Sequence, residues 1–500
     1  MSPVDPSRNE QGIEPAWWQR ALQPSGRALG KSSLLYAAAV GLGFALAMFL
    51  QEKYAACGGF GDDGCRAYGP WTRDFVRYVV ERRIEPFHAS RTLPSAVLYF
   101  VLRALRAAPT NANIVRAWEL GNVVMVALGA FAWHRIWRHW ALRVETLVLG
   151  TATIFCTFGI AKLLPFDPVL TDGWAFALSL VATMGFLERR FWLVALATVA
   201  GSFCWHTFLY LGVPLLFFFG DAGEQEPPGS RRNLGSWACE IVAIGVGVAW
   251  AWYALRLVPR YSAPFGYEPA WRETLRLSVP VAALCLFMVV RELLRPHLFR
   301  VVLRRPFAWY RWVALAIAAG LYLGVHQLGA PVPPKVTLAQ GFNMLVFTSV
   351  AKPGSFLVAH AAFYGPLAIL ALLRWPRVAR SLSAAGPSVA VAFLSGAPLV
   401  VDSESRHSLA HFALLAPFVL KTMDELRWRW RTVLAVSAVA LGASRIWLTY
   451  SETLPKDRSA LSSLLGVLGP WMSTSAYVWC GLLAALTAVW LWRVSSKPAP

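Results

Sequence analysis

Acid is scarce in this chain: 27 Asp and Glu stand against 47 Lys and Arg, and only 15% of the 500 residues are charged. A soluble domain carries about a quarter of its residues as charges, so a soluble globular protein is excluded. Cysteine is sparse too. Seven are present and none forms a CxxC pair, which argues against a thiolate metal cluster. Cys156, Cys204, Cys239, Cys285 and Cys480 lie in apolar runs and read as small core hydrophobes. Residues 1–30 lack the apolar centre of a cleavable signal peptide and read as a cytosolic tail, with Arg27 and Lys31 preceding the first span. No internal repeat is visible.

What the chain has is apolar surface. Hydrophobic residues make up 57% of it, with 24 Trp, 29 Phe and a mean hydropathy of +0.48. Repeated long apolar runs require a polytopic helical protein, because a helix satisfies its own backbone hydrogen bonds in lipid. The expected fold is an all-α transmembrane bundle of about twelve to fourteen membrane elements. The net charge of +20 lies largely in short turns: 134–143, 188–190, 230–233, 291–312, 374–380 and 425–431. The positive-inside rule places all of these in the cytosol. The charge therefore sets topology, and no nucleic-acid partner is expected. Outside remain 51–91, 164–172, 258–274, 329–355, 401–407 and 449–465, which hold nearly all the clustered acids.

Two segments resist simple counting. Thr92–Ala108 is apolar but short, and a full crossing would put the basic turn at 134 outside, so either the segment is partly inserted or the charge rule fails locally. Phe191–Phe219 restores parity only as a broken or re-entrant pair bent near Gly201 and Ser202, which would carry Trp205 and His206 into the middle or outer part of the bundle.

The longest polar stretch follows the first span, Ser33–Leu50. It holds Asp62, Asp63, Asp74, Glu81 and Glu85 among six arginines. In TRDFVRYVVERR, Phe75, Tyr78 and Val79 recur at helical spacing, which suggests an amphipathic helix lying at the interface. Asp74 opens its polar side and is the first candidate base; a charge-paired or capping Asp is the plainer alternative. Asp62 and Asp63 sit between glycines and read equally as a turn. Cys57 and Cys65 flank that turn and could pair in an oxidising compartment. Arg91, at the outer membrane edge, suits an anionic head group or a snorkelling anchor.

Asp167 and Asp172 stand at the outer end of a span, with helix capping as the alternative for both. His206 lies deep in an apolar run, as a functional group or an interhelical hydrogen bond. Lys352 and His360 bracket the outer start of another span, and Lys352 could meet a phosphate. The loop 402–407 offers Asp402, Glu404, Arg406 and His407; Arg406 beside His407 suits a phosphate clamp, or Glu404 and Arg406 pair locally.

In this order the residues resemble the GT-C superfamily of polytopic glycosyltransferases that use polyprenyl-phosphate sugars. The matching features are an acid in the first outer loop (Asp74), the re-entering segment RTLPSAVLYFVLRAL, and LLPFDPVLTDGWAFALSLVATMGFLERR with Asp at the outer start of a helix. The stretch WLVALATVAGSFCWHTFLYLGVPLL occupies the place of the family's broken helix pair, with His206 where many members carry Arg, Lys or Glu. The likeness covers residues 30–220. It implies a GT-C-like catalytic module over 33–220, including the loop 51–91, after a tail at 1–32 and before a variable bundle at 221–500. It departs from the family in the distance of Asp74 from the first span, which leaves Asp62 and Asp63 open as the counterpart.

The resemblance implies transfer of a sugar, with inversion, from a polyprenyl-phosphate donor to an acceptor hydroxyl on a lipid, glycan or protein at the outer face of a bacterial cytoplasmic membrane. A first-loop Asp would be the base, and Arg91, Lys352 or Arg406 would neutralise the departing phosphate. A divalent cation is left open as a cofactor, although the acids make no tight ligand spacing. The alternatives are a transporter or flippase of a lipid-linked glycan, an O-antigen-type polymerase or ligase, and a non-catalytic assembly subunit. A flippase needs polar groups along a path through the bundle, and the acids gather at one mouth.

The orientation is directly testable. Cysteines placed by Arg190→Cys, Arg305→Cys and Arg377→Cys are expected to resist an impermeant thiol reagent in intact cells. Labelling at these positions would reverse the topology.

Overall fold

The computed structural model describes residues 26–51, 67–221, 234–260, 271–296, 307–332, 337–446, 472 and 474–496. Asp62, Asp63, Cys57 and Cys65 lie outside these residues, as do most of the expected outer loops 258–274 and 449–465. Among the described residues all regular structure is helical, apart from one isolated parallel bridge between Ile84 and Gly329.

The chain begins with α1 (Gly26–Leu50) and α2 (Gly69–Val80), followed by a 3-10 turn at Pro86–Arg91. Next come α3 (Leu93–Ala104) and α4 (Asn111–His139), then a pair bent by 53°, α5 (Val144–Phe155) and α6 (Phe158–Phe166). Then follow α7 (Asp172–Leu187), α8 (Phe191–Ser202), α9 (Phe208–Phe217), α10 (Leu234–Leu257), α11 (Trp271–Leu293) and α12 (Trp309–Leu328). The remainder is α13 (Leu338–Ser349), α14 (Ser355–Tyr364), α15 (Pro366–Leu373), α16 (Trp375–Ala385), α17 (Pro387–Ser395), α18 (Ala397–Val400), α19 (Leu409–Asp424), α20 (Trp430–Ala443) and α21 (Thr474–Ser496).

Among the described residues five helices are long and apolar enough to cross a membrane, namely α1, α4, α10, α11 and α21, and the bent α5–α6 pair, counted as one span, makes a sixth. The protein is thus an all-α polytopic membrane bundle. The remaining expected elements take the form of shorter or broken helices. The α14–α15 break falls at Gly365, whose φ of +68° and ψ of −151° suit a residue without Cβ.

Three of the basic turns lie together. Arg135 pairs with Glu188 at 2.8 Å and Arg190 with the same carboxylate at 3.1 Å. The Arg143 amide donates to Asp424 at 3.1 Å, and Arg189 donates to the Phe219 carbonyl at 3.2 Å. These bonds bring the turns at 134–143, 188–190 and 424–431 together, as uniform positive-inside placement requires.

Both irregular segments acquire a physical explanation. Helix α3 has 12 residues, a rise of about 18 Å against the ~30 Å of a hydrocarbon core. Arg73 of α2 bonds Asn111 at the start of α4, so the chain after α3 remains on the side it started from. Helices α8 and α9 form a hairpin. Its two ends meet at the basic end, with the Phe191 and Phe219 rings 5.3 Å apart, and residues 203–207 form its tip. The arms touch where a Cβ on Gly212 would lie 2.5 Å from the Thr198 side chain, so glycine permits the approach.

One buried ion pair fixes the base of this hairpin. Arg311 donates to Asp221 at 2.8 Å, and both side chains are nearly inaccessible, at 2% and 4%. Tyr310 donates to the other Asp221 oxygen at 2.8 Å. Neither residue stood out in the sequence, because Arg311 reads as one more basic-turn arginine. Helix α12 starts at this pair, and just beyond its other end Gly329 bridges Ile84, two residues before the 3-10 turn.

Removing one member of a buried pair strands the other charge, typically at a cost of about 3–5 kcal/mol, whereas replacing both with apolar groups is often neutral. Asp221→Leu or Arg311→Met alone is therefore expected to lower the thermal midpoint in detergent sharply, and the double variant to recover most of it. Equal losses in singles and double would show that the pair does not hold the fold.

Candidate functional site

The site is built from three stretches far apart in sequence. The first is the 3-10 turn ending in Arg91, which is 3% exposed. Its Nη1 donates to the Tyr68 hydroxyl at 3.2 Å. Tyr68 is itself fixed, since its carbonyl accepts from Thr72 at 2.7 Å and from Ser95 at 3.2 Å.

The second stretch is the hairpin tip. Arg91 Nη2 contacts His206 Nδ1 at 3.3 Å. A guanidinium only donates, so Nδ1 must accept and the ring proton sits on Nε2. The guanidinium lies 4.0 Å over the Trp205 ring and 5.2 Å from Phe87. The Leu93 amide donates to the Phe203 carbonyl at 2.9 Å, joining the tip to the start of α3.

The third stretch is the loop between α18 and α19. Asp402, 1% exposed, is its hub. Oδ1 accepts from Thr348 at 2.7 Å and from the Glu404 amide at 2.9 Å, and Oδ2 meets His407 Nδ1 at 2.8 Å. Glu404 pairs with Arg406 at 2.7 Å and faces His407 Nε2 at 3.4 Å. The His407 ring stands 6.1 Å from Trp205 and 6.4 Å from His206, centroid to centroid. Thr207 donates to the His407 carbonyl at 3.4 Å. From behind, His360 bonds Ser405 and the Val400 carbonyl, each at 2.9 Å, and Tyr364 bonds Ser408 at 2.9 Å.

Burial by itself would lower the His407 pKa, but the Glu404 and Asp402 carboxylates and the Asp402 hydrogen bond outweigh burial and the opposing Arg406, so the net shift is upward. This imidazole therefore holds a proton more tightly than an exposed histidine.

Arg91, His206, Glu404, Arg406 and His407 thus meet, together with Tyr68, Trp205 and Asp402. The other candidates lie elsewhere. Asp74 is half-buried where α2 breaks, at φ −149° and ψ 63°, and the nearest charge it acts on is Arg77; no bond joins it to the cluster. Asp172 is buried at the first position of α7, one residue past the N-cap Thr171, and together with Asp402 its charge reaches the Tyr364 hydroxyl. Asp167 is half-buried just after α6. Lys352 turns to the C-terminal helix region, bonding the Met472 carbonyl and lying 5.6 Å over the Tyr477 ring. The Asp402 hub and the Tyr68 and Trp205 contacts needed tertiary structure to emerge. The sequence signal for the hub was the polar run 402–407 set between apolar stretches.

Among the described residues no group of three or more His, Cys, Asp or Glu side chains is arranged to hold a metal ion. The fold and site define a polytopic membrane protein with a buried cluster of arginine, histidine and carboxylate side chains. No family model, curated protein or solved structure matches the chain.

Proposed function

We propose that the chain is an inverting glycosyltransferase that takes a sugar from a polyprenyl-phosphate donor at the outer face of a bacterial cytoplasmic membrane. The observation that carries this reading is Arg91. It is buried, yet among the described residues its partners are a phenol, an imidazole and aromatic rings, with no carboxylate. A permanent guanidinium charge in such a place calls for an anion, and a lipid phosphate supplies one.

Depth supports the same class of ligand. From the basic end, α8 has 12 residues and α7 and α19 have 16 each. They rise about 18 to 24 Å, short of the ~30 Å hydrocarbon core. In this reading the cluster at their far ends lies below the outer surface, where a phosphate carried on a lipid reaches more readily than a free one. In this reading the acceptor, a lipid, glycan or protein hydroxyl, enters from outside. The Arg91 charge stabilises the departing lipid phosphate, and surrounding membrane lipids seat the bundle.

The test is transfer from a panel of synthetic polyprenyl-phosphate sugars by the purified full chain, alongside thermal unfolding with polyprenyl phosphate alone. The lipid phosphate is expected to raise the melting midpoint of the wild type and leave Arg91→Met unmoved. Arg91→Met should also lower transfer about a hundredfold or more, in line with loss of a charge stabiliser. Binding of lipid phosphate with no transfer from any donor would favour the flippase or assembly-subunit reading. No binding would remove Arg91 from a ligand site.

A further inference from the structure

We propose that His407, oriented by Asp402, is the general base that takes the proton from the acceptor hydroxyl. This rests on the transfer reading above and assigns the proton to a residue outside the first loop. The geometry has three parts. Asp402 is buried and its three hydrogen bonds fix it, so its bond to His407 Nδ1 sets both the plane and the tautomer of that ring. With Nδ1–H donating to Asp402, Nε2 carries the lone pair when the ring is neutral. Nε2 faces Glu404 at 3.4 Å, too long for a strong hydrogen bond, so a donor hydroxyl can take that place.

The second part is placement. The His407 ring faces His206 and Trp205, and these two residues hold the Arg91 guanidinium. Proton acceptor and anion site thus lie on the two sides of one layer of rings, both in contact with the hairpin tip. The third part is the contrast with Asp74, which lies at a helix break beside Arg77 with no bond into the cluster.

The step balances. The acceptor hydroxyl gives its proton to Nε2 as its oxygen forms the new bond to the anomeric carbon. The bond from that carbon to the phosphate oxygen breaks, and the electron pair leaves with the lipid phosphate at Arg91. The imidazolium formed lies between Asp402 and Glu404, which stabilise it, as in a carboxylate-oriented histidine base generally.

The charged and titratable groups facing His407 are Asp402, Glu404 and Arg406 on its own loop and His206 at the hairpin tip; Arg91 and His88 act on His206, and His360 lies behind the loop beside Asp402. The two nearest are carboxylates. The ring must lose its proton before acting, so transfer is expected to rise with pH along a limb centred above the ordinary imidazole value of about 6.5. Asp402→Asn removes a negative charge and should move that limb to lower pH by about one unit or more.

The experiment measures pH–rate profiles for the purified wild type, Asp402→Asn, His407→Gln, His407→Ala and Asp74→Asn. Ring-labelled histidine NMR of wild type and Asp402→Asn accompanies them, with His407→Gln assigning the resonance. His407→Gln should slow transfer about a hundredfold or more and abolish the limb. His407→Ala should recover part of its rate on adding imidazole, which a packing role would not produce. The His407 resonance should titrate above the ordinary value and move down in Asp402→Asn. Transfer by His407→Gln within threefold of wild type, with loss in Asp74→Asn, would return the base to the first loop. A His407 titration unmoved by Asp402→Asn would break the proposed pairing. Absence of transfer by the wild type from every donor would overturn the transfer reading and this assignment with it.

Discussion

The constraint on which the rest depends is the burial of Arg91. Its charge cannot shift away by deprotonation, because a guanidinium stays protonated in proteins. Removing it from water without a counter-charge is costly, so the surroundings have to hold it. They do so with a face-on indole, a phenol oxygen and an imidazole nitrogen. They belong to two separate elements, and each element is fixed in turn. Tyr68 is held by bonds to its own carbonyl from α2 and α3. Trp205 and His206 ride on a hairpin whose arms touch at Gly212.

That hairpin explains why a buried ion pair sits at the opposite end of the molecule. Its tip belongs to the cluster, and its base is locked by Asp221, Arg311 and Tyr310. Arg311 lies near the start of α12, and just past the other end of α12 the Ile84–Gly329 bridge reaches the segment leading into Arg91. The connections form a closed circuit from the ion pair along α12 to Arg91, across to His206, and back down α9. A change in length at any point of such a circuit must be absorbed elsewhere, and close-packed interiors absorb little.

Much of this was legible from sequence, and the rest was not for identifiable reasons. The polytopic class followed from apolar runs, because only helices satisfy backbone polar groups in lipid. The hairpin followed from parity: basic residues on both sides of Phe191–Phe219 could not share one compartment if the segment crossed once. Arg91, His206 and the loop 402–407 stood out because polar groups are rare in apolar surroundings. Their meeting was not legible, because no local pattern links position 91 to position 407. The Asp402–His407 bond was hidden for a related reason, since five residues of loop have no fixed geometry until Thr348 on α13 fixes Asp402. Lys352 shows the converse. Its charge suggested a phosphate ligand, yet its bonds lead to the Met472 carbonyl and the Tyr477 ring.

The short helices below the cluster and the chemistry within it are two aspects of one design. Helices α7, α8 and α19 have only 12 to 16 residues, so their far ends bring backbone groups and polar side chains into the buried interior of the bundle. Unsatisfied groups there would be expensive. The loop 402–408 meets that cost with the Asp402, Ser403, Ser405 and Ser408 bonds to Thr348, His360 and Tyr364. The Arg91 charge is the exception: among the described residues it meets a phenol, an imidazole and aromatic rings but no carboxylate, so an anion can add an interaction there that the protein itself does not supply.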